Sequence, residues 1–455
     1  MDLRAHVTGL MSLARLDLAD LVAIQSVADP VRYPPRECLR AAQWVRDAFA
    51  GAGFDDARLV ETADGSQAVL GSRLCGDPAA PTVLLYTHYD VQPPVDESAW
   101  HTPPFVLTEV DGRWHGRGAA DCKGNIIATL TALRALGDDL PVHLKVVVEG
   151  SEEQGTGGLE DFVTDYPDLL RADAILVCDT GNAAVGKPAV TVSLRGMVNV
   201  VLTVEALDSA VHSGMYGGPA PDALAALVAV LATLRDAAGN TTIAGLPAGQ
   251  TWHGEPYPAE EFRTDAGVLP DVSLLGDGTV ADQLWARPAV TVLGIDCPPV
   301  RGSAAAITPR AAARLNLRVP PGTALRAAEV ALIDHLHTAA PWGTKVTVRT
   351  EASGAPFATT VDGPAHRAMA GAMAEAYGVA PTTLGQGGSI PLCTVLAETY
   401  PEAEIILMGV EDPRSLIHAP NESVDPGEIA AVALAEALFL RAYATAVRGG
   451  SRSGW

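Results

Sequence analysis

Five short stretches carry side chains suited to hydrolytic chemistry, and each follows an apolar run. Thr87-His88-Tyr89-Asp90-Val91-Gln92-Pro93 comes directly after Val83-Leu84-Leu85-Tyr86. His88 and Asp90 are two apart, a spacing that shares one face of a strand, so a histidine and a supporting carboxylate can converge there. Gly116-Arg117-Gly118-Ala119-Ala120-Asp121-Cys122-Lys123-Gly124 sets Asp121 between glycines, which let backbone approach an ion closely. The same pattern also fits a turn with Asp121 capping a helix. Val146-Val147-Val148-Glu149-Gly150-Ser151-Glu152-Glu153 runs a strand into clustered carboxylates, whose repulsion a cation or open solvent would relieve. Asp179 ends the run Ile175-Leu176-Val177-Cys178, and His418 lies in the loop Ser415-Leu416-Ile417-His418-Ala419-Pro420-Asn421-Glu422. Each alone fits a satisfied loop residue. Together they bring two histidines and several carboxylates to one edge of a sheet. That donor set suits a pair of divalent ions, Zn²⁺ or Mn²⁺, and hence metal-assisted hydrolysis.

The elements that must position these residues follow from hydrophobic patterning. A helix runs through Leu10, Leu13, Leu16, Leu18 and Leu21, and a second from about Arg36 to Ala50. Strands and helices then alternate: strands Ala68–Ser72 and Thr82–Thr87, a helix from about Asn125 to Leu136, strands His143–Val148 and Ala174–Cys178. This rhythm predicts an α/β fold, a mostly parallel sheet with helices on both faces. Ligand sites in such sheets lie beyond the carboxyl ends of the strands.

The pattern changes near Arg195-Gly196. Strand Val198–Glu205, helix Asp222–Arg235, strands Ala289–Gly294 and Ala312–Val319, helix Leu325–Thr338 and strand Lys345–Arg349 give the order β-α-β-β-α-β of a ferredoxin-like unit. A Gly/Pro/Trp-rich insertion from about Asn240 to Arg287 interrupts it. The α/β rhythm resumes with helices near His366–Tyr377 and Pro426–Ala444 around the strand Glu404–Met408. The expected organisation is a discontinuous catalytic domain, residues 1–194 and 354–455, with an inserted α+β lid or dimerisation domain at 195–353. The tail Gly449–Gly454 is expected to be disordered.

At 455 residues the chain is too long for one compact core. A net charge of −23 argues against nucleic acid or anionic membrane as partner. The six cysteines form no C-x-x-C pair, as expected for reduced thiols in a cytoplasm rather than a disulfide framework. The N-terminus shows no basic region followed by an apolar stretch, and no unbroken apolar run reaches 18 residues, so neither a signal peptide nor a transmembrane helix is expected.

Taken in order, the five stretches resemble the M20 family of metallopeptidases, which includes carboxypeptidases, deacylases and dipeptidases. The similarity runs from about His88 to Asp425. It implies two divalent ions per subunit, zinc first and manganese second. His88 and Asp179 would ligate one ion, Glu153 and His418 the other, and Asp121 would bridge them, with a cis peptide bond after it. Asp90 would orient His88. Glu152 would be the general base for the metal-bridging water. His212, in Ser209-Ala210-Val211-His212-Ser213-Gly214, resembles the histidine that stabilises the oxyanion in a neighbouring subunit's site, which implies a homodimer through the inserted domain. A lone histidine in a glycine-containing loop is otherwise structural.

Aspartate at 179 and the size of the 240–287 insertion resemble the dipeptidase branch, the cytosolic non-specific dipeptidase and carnosinase type. Gly387, Gly388 and Ser389 resemble a loop holding the substrate's terminal carboxylate through backbone N–H groups, or else form a turn capping the next helix. Arg318 resembles an arginine pairing with the same carboxylate, or is a solvated strand residue. Gln386 departs from the charged residue relatives often carry there. The expected activity is hydrolysis of dipeptides or similar small peptides. An N-acyl-amino-acid deacylase or carboxypeptidase of the same family is the alternative, and a non-catalytic metal-binding scaffold is the alternative of another class.

Overall fold

The structure is a computed structural model and describes residues 2–447. It divides into two compact units. The first holds the residues up to Val192, Thr359–Leu384 and those from Leu392 onward; the second holds Ser193–Ala358 and Gly385–Pro391.

The first unit is built on a sheet in the spatial order Arg58–Glu61, Gln67–Arg73, His143–Glu149, Thr82–His88, Ala174–Cys178, Glu404–Met408, Ala189–Leu194. The four strands from His143–Glu149 to Glu404–Met408 pair in parallel. Those outside them pair antiparallel, a reversal that the α/β rhythm of the sequence does not announce. Ala174–Cys178 is buried at every position, as a strand covered on both faces requires. The helix Leu3–Val22 is capped by Asp2, whose side chain accepts from the Ala5 N–H, and it buries Leu3, Val7, Ala14, Leu18 and Leu21. That spacing makes one apolar stripe. It packs with Lys123–Leu136, Pro364–Tyr377 and Pro426–Gly450 in a common core.

One expectation changes here, while the tail 449–454, expected to be disordered, lies outside the described residues. The last helix contains Pro426–Val447, 22 residues with mean hydropathy 1.5, so a helix of membrane-spanning length and composition does exist. Glu428, Glu436 and Arg441 interrupt its apolar run, so no unbroken stretch marks it in the sequence. In the structure 61% of its apolar window is buried, against the helices just named.

The second unit is a four-stranded antiparallel sheet in the order Ala289–Asp296, Arg310–Val319, Gly196–Glu205, Lys345–Gly354. With the helices Ala223–Ala232 and Leu325–Thr338 it has the chain order and pairing of a ferredoxin-like fold. Val198, Val200, Leu202 and Val204 alternate into its core, the period-two burial of a sheet covered on one face. The 240–287 insertion forms a short helix, Ala259–Asp265, and a wider turn, Asp282–Ala286. Trp252, Tyr257, Phe262 and Trp285 pack against one another there.

Candidate active site

In the first unit the chain brings His88, Asp90, Asp121, Glu152, Glu153, Asp179 and His418 together. His88 ends its strand, and Glu149 and Cys178 end the flanking ones in register with it or nearly so. Glu152 and Asp179 therefore follow at the same sheet edge.

The contacts describe two overlapping groups. His88 Nε2 lies 3.0 Å from an oxygen of Asp121 and 3.0 Å from one of Asp179. His418 Nε2 lies 2.9 Å from the other Asp121 oxygen and 3.0 Å from Glu153. Asp121 thus gives one oxygen to each histidine. The donors of Asp121, Glu153 and His418 all lie within 4.8 Å of one another, as do those of His88, Cys122 and Asp179. The peptide bond between Asp121 and Cys122 is cis. Imidazole nitrogens and carboxylate oxygens in two such groups fit borderline divalent cations, and a cation would relieve the repulsion of carboxylates gathered with so little solvent.

The surroundings hold these groups in place. His88 Nδ1 lies 3.1 Å from the Asp90 carbonyl oxygen and 3.3 Å from its carboxylate. The same carboxylate accepts from the Glu152 N–H at 3.3 Å and the Glu153 N–H at 3.0 Å, so one buried side chain sets both the histidine and the acidic loop. Gln92 donates to Glu153 from its backbone N at 3.2 Å and from Nε2 at 2.9 Å. Glu152 accepts no hydrogen bond at its carboxylate among the described residues. Burial, then the Asp179 charge, pushes its pKa well above the usual carboxylate range. Burial and Asp121 push Glu153 up to about 7. Burial opposes the charged form of His418, but its carboxylate partners Asp121 and Glu153 raise it to about 11.

Two further residues belong to this region, and the sequence reading gave them no role. Glu422, fully buried, accepts from Arg117 Nη1 at 2.7 Å and from the N–H groups of Gly118 (2.9 Å), Ala120 (3.0 Å) and Asp121 (3.1 Å). It thereby fixes the loop that presents Asp121. Its signal was its place four residues after His418, in a stretch already singled out. Glu411, on the loop after Glu404–Met408, places an oxygen within 4.8 Å of those of Asp121 and Asp179.

The remaining candidates lie in the second unit. His212 is exposed and caps the short helix Ser213–Tyr216: its Nδ1 accepts from the Gly214 N–H at 3.1 Å and the Met215 N–H at 3.3 Å. The ring proton therefore sits on Nε2. Arg318 is half-buried on its strand, and burial lowers its pKa. The Ser389 hydroxyl is buried with no partner, so it caps no helix. A Cβ at position 387 would come 2.8 Å from an Arg195 guanidinium nitrogen, so this loop lies against Arg195. Arg195, also unassigned from sequence, is buried with Nε and Nη1 unpartnered. Burial and the neighbouring Arg318 charge lower its pKa to about 10. It stands at the Arg195-Gly196 break in pattern.

Two groups of imidazole and carboxylate donors joined by one aspartate, at the carboxyl ends of parallel strands, describe a dinuclear metal-dependent hydrolase. Known proteins narrow the class. The profile of Peptidase family M20/M25/M40 matches residues 84–442, and the chain belongs to that family. A cysteinylglycine-S-conjugate dipeptidase from Corynebacterium striatum is 45% identical over 414 residues, covering 89% of this chain and 90% of that protein. The Beta-Ala-His dipeptidase of Homo sapiens is 29% identical over 381 residues, covering 78% and 74%. The crystal structure of human carnosine dipeptidase 1 matches with a TM-score of 0.83 at 26% identity, over 97% of this chain and 98% of that one.

Proposed function

We propose that this peptidase hydrolyses the amide bond of dipeptides, using two divalent ions. The observation that carries the reading is Asp121, with one oxygen against His88 and the other against His418. The 45% identity to a dipeptidase over nine-tenths of its length supports the substrate class. His88, Asp121 and Asp179 would hold one ion and Asp121, Glu153 and His418 the other, with zinc first and manganese second. When bound, the ions supply Lewis acidity toward the amide carbonyl and toward the attacking water.

The chain's own residues do the rest. Glu152, with a half-buried carboxylate free of hydrogen bonds among the described residues and a raised pKa, takes the proton of the attacking water and returns it to the leaving amine. Asp90 holds the backbone of Glu152 and Glu153 and orients His88. His212 presents an Nε2–H to the developing oxyanion, its Nδ1 being engaged in the cap. Arg318, Gly387, Gly388 and Ser389, with Arg195 beside the loop, receive the terminal carboxylate. Residues 1–194 and 354–455 form the catalytic domain and 195–353 the lid. The strand Ala289–Asp296 is an edge of its sheet with Val292, Leu293 and Ile295 exposed. Such an edge favours pairing, and this supports a homodimer in which His212 serves the other copy. All six cysteines are free, which supports a cytoplasmic location.

Release of amino acids from simple dipeptides and from their N-acetylated counterparts, with Zn²⁺, Mn²⁺ or chelator, tests the reading. Metal-dependent cleavage of the free dipeptides is expected. Cleavage of the acetylated set instead would make the protein a deacylase, and cleavage of neither would favour the binding-protein alternative.

A further inference from the structure

Glu411 is the carboxylate of the cluster to which the mechanism above gives no task. Its position is set by backbone. Its carbonyl accepts from the Asn182 N–H at 2.8 Å, and the Asn125 side chain accepts from the neighbouring Val410 N–H at 2.9 Å. A Cβ at Gly181 would come 2.5 Å from the Glu411 carbonyl oxygen, so the chain after Asp179 lies directly against this loop. The residue as a whole is only 7% exposed. It has a carboxylate oxygen within 4.8 Å of donors on Asp121 and Asp179, yet it makes no hydrogen bond or ion pair with any described residue.

The carboxylates of the two histidine-containing groups, and Glu422, each face a nitrogen donor. Asp121 and Asp179 face His88, Glu153 faces His418 and Gln92, and Glu422 faces Arg117. A carboxylate buried without such a partner is costly, so the group that completes Glu411 is a cation. The two histidine-containing groups already give each ion three protein donors, the usual number in a catalytic site that keeps a position open. A second kind of cation comes with the substrate. In an unblocked dipeptide the ammonium is separated from the scissile carbonyl carbon only by Cα. Its acceptor must therefore stand close to the groups that hold the ions, as Glu411 does.

We propose that Glu411 receives the free α-ammonium of the substrate's N-terminal residue and makes the enzyme select unblocked dipeptides. This rests on the dipeptidase reading. Glu411→Gln keeps the shape and removes the charge, and Glu411→Asp keeps the charge on a shorter arm. Each is compared with wild type in metal content by elemental analysis and in affinity for a non-hydrolysable dipeptide with a reduced amide by calorimetry. The third readout is kcat/KM on a dipeptide and its N-acetyl form.

For Glu411→Gln the expected result is wild-type metal content and a loss of about tenfold to a hundredfold on the free dipeptide, the scale of one charged hydrogen bond. The reduced dipeptide should weaken in parallel, the acetylated substrate should not lose, and Glu411→Asp should fall between. Equal losses on both substrates, or loss of metal in Glu411→Gln, would overturn the inference while leaving the dipeptidase reading standing. A wild type that cleaves neither substrate would overturn both.

Discussion

Replacing Glu422 by glutamine exposes how the bridging aspartate is held. The carboxylate has no exposed surface and accepts four donors: Arg117 Nη1 and the N–H groups of Gly118, Ala120 and Asp121, between 2.7 and 3.1 Å. An amide offers one oxygen and presents an NH₂ group where the other oxygen stood, so it must turn donors toward donors. It also leaves Arg117, 1% exposed and stacked over the Trp100 ring, without its counter-charge. Breaking one partner of a buried pair costs about 3–5 kcal/mol. At about 2 °C per kcal/mol for a folding unit of this size, the melting temperature should fall by about 6–10 °C.

Differential scanning calorimetry at neutral pH measures that shift, and elemental analysis after gel filtration measures retained metal, which should fall as the Asp121 loop loosens. The double variant Glu422→Gln/Arg117→Met should be less destabilised than the sum of the single variants, because it leaves no unpaired buried charge. A Glu422→Gln protein within about 0.5 kcal/mol of wild type, the range of an inert surface change, and with full metal, would refute the reasoning.

The remaining predictions address the mechanism and the core. Glu152→Ala should retain its metal and lose about a hundredfold to ten-thousandfold in kcat, the usual worth of a general base; unchanged turnover would remove Glu152 from the reaction. His212→Ala should lose about a hundredfold in kcat with metal content intact. Mixing it with Glu152→Ala should restore activity if the histidine acts across a dimer, and no recovery would count against that arrangement. Glu436, buried in the last helix beside Thr129 and Cys178, has its pKa raised by burial from 4.5 to about 8. The unfolded chain therefore ionises first. The stability this group allows is fully present below the unfolded pKa of 4.5 and is lost as pH rises through about 8, by about 5 kcal/mol in all. Urea midpoints at pH 6 and 8.5 should converge in Glu436→Gln, and a wild-type slope in that variant would contradict the assignment.

The sequence made the frame legible where apolar runs were unbroken. Ala174–Cys178, Glu404–Met408 and Leu325–Thr338 have the bounds that hydrophobicity alone implies. Most of the cluster was legible: His88, Glu152 and Asp179 each follow such a run or the turn after it, and Asp121 stood out by the glycines on either side of it. Pairing direction was not, because whether Gln67–Arg73 runs with or against His143–Glu149 depends on long-range hydrogen bonding. Glu411 and Glu422 escaped because their roles come from neighbours distant in sequence, Gly118 to Asp121 for one and Asp179 for the other. Arg195 escaped because an arginine gains meaning only once it is buried without a partner.

The central claim, that Asp121 joins two ion sites in a working peptidase, is tested most directly by adding Zn²⁺ stepwise to metal-free protein. Bound metal and dipeptide turnover are followed together. Turnover that reaches its maximum at two bound equivalents per chain, and that Asp121→Asn abolishes along with tight binding of both, is the predicted result. Full turnover with one equivalent or none, or tight binding of two equivalents by Asp121→Asn, would contradict it.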